Sequence, residues 1–297
     1  SFDGEGAITS AIDYVVNEDQ PEIYVLEGHG EAELSESFRE QLEKENIELN
    51  TFSLLTADAV PEDADGILIY GPSSDISEEE KTLLAEYVSG GGKLMVLAGP
   101  TKDGTLTNLY SILKDYGVDT VDGIVVDTDR GHYAFQAPYI LLPDLNSSEI
   151  TDPLIEENYY AIMPVAQGLT IQDTESGRVT ELLTTSEMSF SKTDGYALSS
   201  YEKEEGDTDG PFILAVSVAA ENGGQIVWFA SSSFLDEMYN AYSSGANLDL
   251  AINAMSSIIG ENEAVAIRSK SLNYNYLTIS DSTASFLKTI MIAVFPL

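Results

Sequence analysis

The apolar positions of the chain change period several times, and each change marks an element. From Pro21 an apolar, β-prone run (Ile23, Tyr24, Val25, Leu26) breaks into Gly28-His29-Gly30 and passes to Leu34, Phe38 and Leu42 at helical spacing. This predicts a strand, a tight turn and a helix over about 33–45. A second strand is expected in 47–55, where Ile47, Leu49 and Thr51 alternate with polar neighbours, and a short lead-in helix at 5–17 with Ile8, Ile12, Val15 and Val16 on one face. The clearest unit is 66–98. Gly66-Ile67-Leu68-Ile69-Tyr70-Gly71 is the continuous apolar run of a strand covered on both faces in a parallel sheet. Ser77 stands before Glu78-Glu79-Glu80 as a helix N-cap, Leu83, Leu84, Tyr87 and Val88 form the buried face, and Gly90-Gly91-Gly92 ends the helix. Lys93–Ala98 reads as the next strand, which makes a right-handed βαβ unit.

A helix at 106–116 and a strand at 123–126 follow. Between 127 and 210 the helical period is lost, and short β-like pieces stand at 139–142, 159–164 and 179–185. Phe212–Ala219 and Gln225–Ala230 flank Asn222-Gly223-Gly224 as a hairpin, and Leu248–Ile259 is an amphipathic helix stopped by Gly260. The pattern predicts an α/β protein: a mostly parallel sheet flanked by helices, with a first half at 1–126, an inserted or appended β-rich subdomain at 127–210, a return to the α/β core at 211–262 and a tail at 263–297.

Composition narrows the function. Asp and Glu number 51 against 13 Lys and Arg, a formal net charge of -38, so the surface repels nucleic-acid phosphates and anionic headgroups. No cysteine is present, which removes thiol nucleophiles, disulfides and thiolate metal sites, and His29 and His132 are the only histidines. No cofactor is expected. The first residues lack the basic and apolar regions of a signal peptide. At the other end, the run Thr289–Leu297 is shorter than the roughly 20 residues that cross a bilayer, and reads equally as the first turns of a membrane helix or as a buried terminal helix.

Gly28-His29-Gly30-Glu31 stands at the carboxyl end of a strand, where α/β sheets bind ligands. With Ser73 these residues are the candidate ligand site. The third glycine of a dinucleotide fingerprint is missing and Glu27 and Glu31 disfavour phosphate, so a structural turn is favoured over catalysis. No Gly-x-Ser-x-Gly elbow occurs. A hydrolase would have to use His29 with a strand-end serine (Ser73, or Ser231 to Ser233) or a carboxylate. Asp127-Thr128-Asp129 and Asp207-Thr208-Asp209-Gly210 are fragments of calcium loops, but Val218 takes the place of the bidentate glutamate in the second. A solvated loop is the simpler reading there, with calcium at Asp207 and Asp209 as the alternative. Tyr133, Phe135, Tyr139, Tyr159 and Tyr160 are either strand packing or stacking surfaces of a carbohydrate- or peptide-binding solute receptor.

Taken in order, Pro21–Glu31, the Gly71-Pro72 turn before Glu78-Glu79-Glu80, Tyr87–Gly92, Gly210-Pro211-Phe212, Ile226–Leu235, Asn247-Leu248-Asp249 and Ile267–Lys270 resemble the gliding-motility-type auxiliary proteins of ABC transporters. The resemblance implies a membrane-anchored, extracytoplasmic domain that partners an ABC permease and ATPase and has no enzymatic activity. It implies a fold similar to class I glutamine amidotransferase-like and flavodoxin-like proteins, without the catalytic apparatus. It also makes the run after Lys288 the start of a truncated anchoring helix. One departure stands out: Phe229-Ala230-Ser231-Ser232-Ser233 replaces the Gly-Asp-Ser-like segment common in that family.

Overall fold

The computed structural model describes residues 20–57, 59–172 and 178–260, so the lead-in helix expected at 5–17 and the tail from 263 lie outside the described residues. The first half runs β1 (Glu22–Leu26), α1 (Glu36–Lys44), β2 (Glu48–Phe52), β3 (Gly66–Tyr70), α2 (Glu78–Ser89), β4 (Lys93–Leu97) and α3 (Thr107–Lys114). The middle carries β5 (Val118–Val121), β6 (Ile124–Asp127), β7 (Ile140–Leu141), β8 (Asp144–Leu145), α4 (Asp152–Glu156), β9 (Met163–Pro164), β10 (Gly168–Ile171), β11 (Val179–Thr184), β12 (Ser189–Lys192) and β13 (Thr208–Asp209). β14 (Ile213–Ala219), β15 (Gln225–Phe229), α5 (Glu237–Tyr242) and α6 (Ala246–Ile259) complete the described chain.

The main sheet has the order β2-β1-β3-β4-β15-β14-β10-β5. From β2 to β15 every pairing is parallel, with Tyr24 opposite Asn50 on one side and Ile67 on the other, and Trp228 opposite Val96. From β15 onward it turns antiparallel. β14 is a branch point, paired with β15, β10 and also β11. Alternation along the strands sends side chains to two cores. Leu68, Met95, Val227 and Phe229 meet Phe38 of α1 and Leu250 and Met255 of α6. Ile67, Ile69, Val96 and Trp228 meet Leu84 of α2 and Leu109 and Ile112 of α3 on the other face. Full burial of each such aliphatic side chain contributes about 1.5–3 kcal/mol, which is why the buried runs lock the register of these strands.

The segment 127–210 adds β12 and β13 to β6 in a three-stranded sheet, forms a two-stranded one, β7-β9, and also lends β8, β10 and β11 to the main sheet. The strand expected over 159–164 shrinks to Met163–Pro164. Asn158 has φ 56, and the backbone of Ile162 is satisfied by a side chain instead of a neighbouring strand: Asn247, buried on α6, accepts from Ile162 N at 2.8 Å and donates to Ile162 O at 2.8 Å. The hairpin between β14 and β15 turns through Asn222 (φ 53) and Gly223 (φ 83), as expected. Among the described residues no helix is long and apolar enough to cross a membrane.

Candidate functional site at the carboxyl end of the sheet

In the parallel part of the sheet the chain moves outward from β1 to β2 and in the opposite direction from β3 to β4, so the loops that leave β1 and β3 diverge. A crevice at that point is where open α/β sheets take ligands. Here it is filled by the chain itself. His29 is only 4% exposed, and its ring lies between two carboxylates: Nδ1 is 3.2 Å from Glu31 Oε1 and Nε2 is 3.2 Å from Glu80 Oε2. A ring with a proton on each nitrogen satisfies both contacts. The second oxygen of Glu31 accepts from Gly28 N at 3.0 Å and His29 N at 2.7 Å, so one side chain ties the turn's backbone and its ring. Gly30 (φ 69) crosses so close to the next loop that a Cβ there would lie 2.2 Å from Ser73 Oγ.

Glu80 belongs to the first turn of α2. Its carboxylate accepts from Ser77 N at 2.8 Å while Ser77 Oγ accepts from Glu80 N at 3.2 Å, a reciprocal capping box. Burial pushes the Glu80 carboxyl up, but the hydrogen bonds from Ser77 and the charge of His29 outweigh it and hold the group below its ordinary value. The start of α2, otherwise an anion seat, is occupied by the protein's own carboxylate.

Ser73 is brought to His29, but through the backbone. The His29 carbonyl accepts from Ser73 N at 3.0 Å, Ser74 N at 2.9 Å and Ser74 Oγ at 2.9 Å, while the ring points away to the glutamates. The serines that leave β15 are spent on loop contacts: Ser231 Oγ donates to Pro164 O, and Ser232 Oγ accepts from Gly99 N at 3.0 Å. Among the described residues no serine hydroxyl is hydrogen-bonded to a histidine ring, so the pairing required of a hydrolase is not assembled.

Asp207 and Asp209 do not converge. Lys192, its side chain wholly buried, places Nζ 3.1 Å from Asp207 Oδ2 and 2.5 Å from Glu204 Oε2, and donates to Glu202 O at 3.0 Å. Asp209 is exposed and turned to Lys203 at 2.5 Å. Hydrogen bonding to Glu204 holds the Lys192 ammonium above its usual range against the effect of burial. Asp127 is fully buried and its carboxylate accepts from Ser186 N, Ser186 Oγ and Asp129 N at 2.7–2.9 Å, which joins β6 to the loop before β12. Among the described residues no three acidic or histidine side chains are grouped to hold a metal ion.

The aromatic candidates fare differently. Phe135 meets Tyr242 edge to face at 4.6 Å, Tyr160 Oη donates to Tyr242 O at 3.1 Å, and Tyr139 lies 5.7 Å from Tyr201. Tyr239 stands one helical turn before Tyr242; its hydroxyl is pushed up by burial, then by Asp236 and Tyr139. Tyr133 is drawn instead into a bridge with Leu141, and Tyr159 is exposed next to Tyr160. The sequence reading missed Tyr201, Tyr239 and Tyr242. For Tyr239 and Tyr242 a signal was present in their spacing of three on a short polar helix, which puts them on one face.

Over residues 20–254 the sequence matches the family described as an ABC-type uncharacterized transport system. The chain belongs to this family. As a component of an ABC-type transport system it has a transport-associated role and associates with transporter subunits. No curated protein sequence matches it significantly. Among solved structures this family member is similar to the mmIFT52 N-terminal domain, at 14% identity and a TM-score of 0.60, over 80% of this chain and 97% of that one. A glutamine amidotransferase from Thermotoga maritima is similar over 82% of this chain and 99% of its own, at 7% identity and a TM-score of 0.47. At such identities the first likeness is one of fold alone.

Proposed function

We propose that the chain is the extracytoplasmic, membrane-anchored component of an ABC transport system, where it binds or scaffolds beside the permease and ATPase subunits and catalyses no reaction. The observation that carries the noncatalytic reading is the saturation of His29. A general base needs a ring nitrogen within reach of a substrate proton, and both nitrogens of His29 are engaged by Glu31 and Glu80 in a closed turn. Family membership supports the transport role, and the absence of cysteine supports the loss of amidotransferase-type chemistry.

The test has two arms. The full-length protein is co-expressed with the ABC permease and ATPase of its own system and purified through a tag on the permease; retention of the protein at constant stoichiometry is expected, and its loss in mild detergent would sink the scaffold reading. In the second arm ester, peptide and glycoside panels are expected to show no turnover. Turnover that disappears in His29→Ala would make the protein a hydrolase.

A further inference from the structure

We propose that the aromatic surface of Phe135, Tyr160 and Tyr242 docks a basic, arginine- or lysine-bearing segment of a partner polypeptide. This rests on the reading of the chain as a binding component and adds the chemistry of what is bound. Phe135 is 50% exposed, Tyr160 49% and Tyr242 54%, in a protein whose other phenylalanines at the cores, such as Phe38 and Phe229, are sealed completely. Scattered exposed aromatics are ordinary, but rings in mutual contact that face solvent mark an interaction surface.

The display is built and held. Phe135 and Gln136 have φ 55 and 56, a left-handed conformation that bulky side chains rarely adopt, and the loop is pinned there by Ala134 N to Ile140 O at 2.9 Å and Ile140 N to Ala137 O at 2.8 Å. Tyr160 is fixed through its hydroxyl on Tyr242 and, two residues on, by the grip of Asn247 on Ile162. Rings already ordered in the free protein cost little further entropy when a partner binds.

Charge selects the partner. Glu156 and Glu157 are exposed within four residues along the chain of Tyr160, and Asp236 and Glu237 are exposed within six of Tyr242, Glu237 with one oxygen accepting from Ser37 N. Of the two cations in the loops of Phe135 and Tyr201, Lys203 is already paired with Asp209 at 2.5 Å, and Arg130 stands five residues before Phe135. Aromatic faces attract guanidinium and ammonium groups, and carboxylates carried on the same loop and helix steer them in. An acidic segment would meet the same carboxylates and be repelled.

Calorimetric titration of the protein with a twelve-residue peptide of alternating arginine and serine, at about 0.15 M salt, tests this against the same peptide with glutamate for arginine. The arginine peptide is expected to bind and the glutamate peptide not. The double variant Tyr160→Ala/Tyr242→Ala should weaken binding by about tenfold, while Tyr160→Phe/Tyr242→Phe, which keeps the rings, stays within about threefold of the parent. A urea midpoint checks that each variant folds. Equal binding to the parent and the double alanine variant would mean that the net negative charge alone attracts the peptide, and would overturn the proposal, as would no binding of the arginine peptide. Retained subunit association with an inert patch would overturn this inference alone; lost subunit association with peptide binding intact would overturn the transport-scaffold reading and leave this one standing.

Discussion

His29 is the residue on which the turn after β1 depends. Truncation would take the ring away from two buried carboxylates and leave each with its backbone donors alone, and removal of one member of a buried polar set is costly. His29→Ala should therefore lower stability by about 2–3 kcal/mol in urea titration. His132 contributes differently. Partial burial lowers its affinity for a proton, but the hydrogen bond and charge of Asp144, then Asp127 and Asp129, outweigh this and hold its pKa above the ordinary 6.5. The folded protein thus holds that proton more tightly than the unfolded chain. The stabilisation is complete below the ordinary value and is lost as pH rises through the folded one. Urea midpoints at pH 5.5 and 9 should differ less in His132→Gln than in the parent, and an unchanged difference would rule the group out.

At the scale of elements, α2 does two jobs with one cap. Ser77→Ala removes the hydrogen bond to Glu80 N and loosens the carboxylate that also holds the His29 ring, so a loss of about 1–2 kcal/mol is expected by thermal or urea unfolding. This helix and the strands around it were the most legible part of the sequence, because buried parallel strands write continuous apolar runs and Ser77 to Glu80 is a local signal. The position of His29 at a strand end was equally plain. Its closure was not, since Glu80 lies 51 residues further on and nothing in local pattern pairs the two. The strand expected at 159–164 failed for a related reason: Asn247 supplies to Ile162 the hydrogen bonds that a neighbouring strand would have made. The aromatic contacts draw on three separate loops and a short helix, and were visible only in pieces.

For the molecule as a whole, 51 acidic residues against 13 basic ones mean that folding concentrates like charge. Added salt screens that repulsion, whereas the buried contacts of His29 and Lys192 are shielded from it. The melting temperature should rise as sodium chloride is increased from about 0.02 M to 0.5 M, over which the screening length falls below about 10 Å. A flat or falling response would mean that paired charges, not self-repulsion, dominate the surface.

The branch at β14 bears on how such a molecule opens. One strand carries the ladders to β15, β10 and β11, so the parallel half and the antiparallel half of the sheet have a backbone segment in common. Parting the halves at β14 therefore means opening either its whole ladder to β15 or its ladders to β10 and β11. The amides of Leu214 and Val216, buried on a strand with neighbours along it on both sides, should be among the slowest of the described residues to exchange with deuterium.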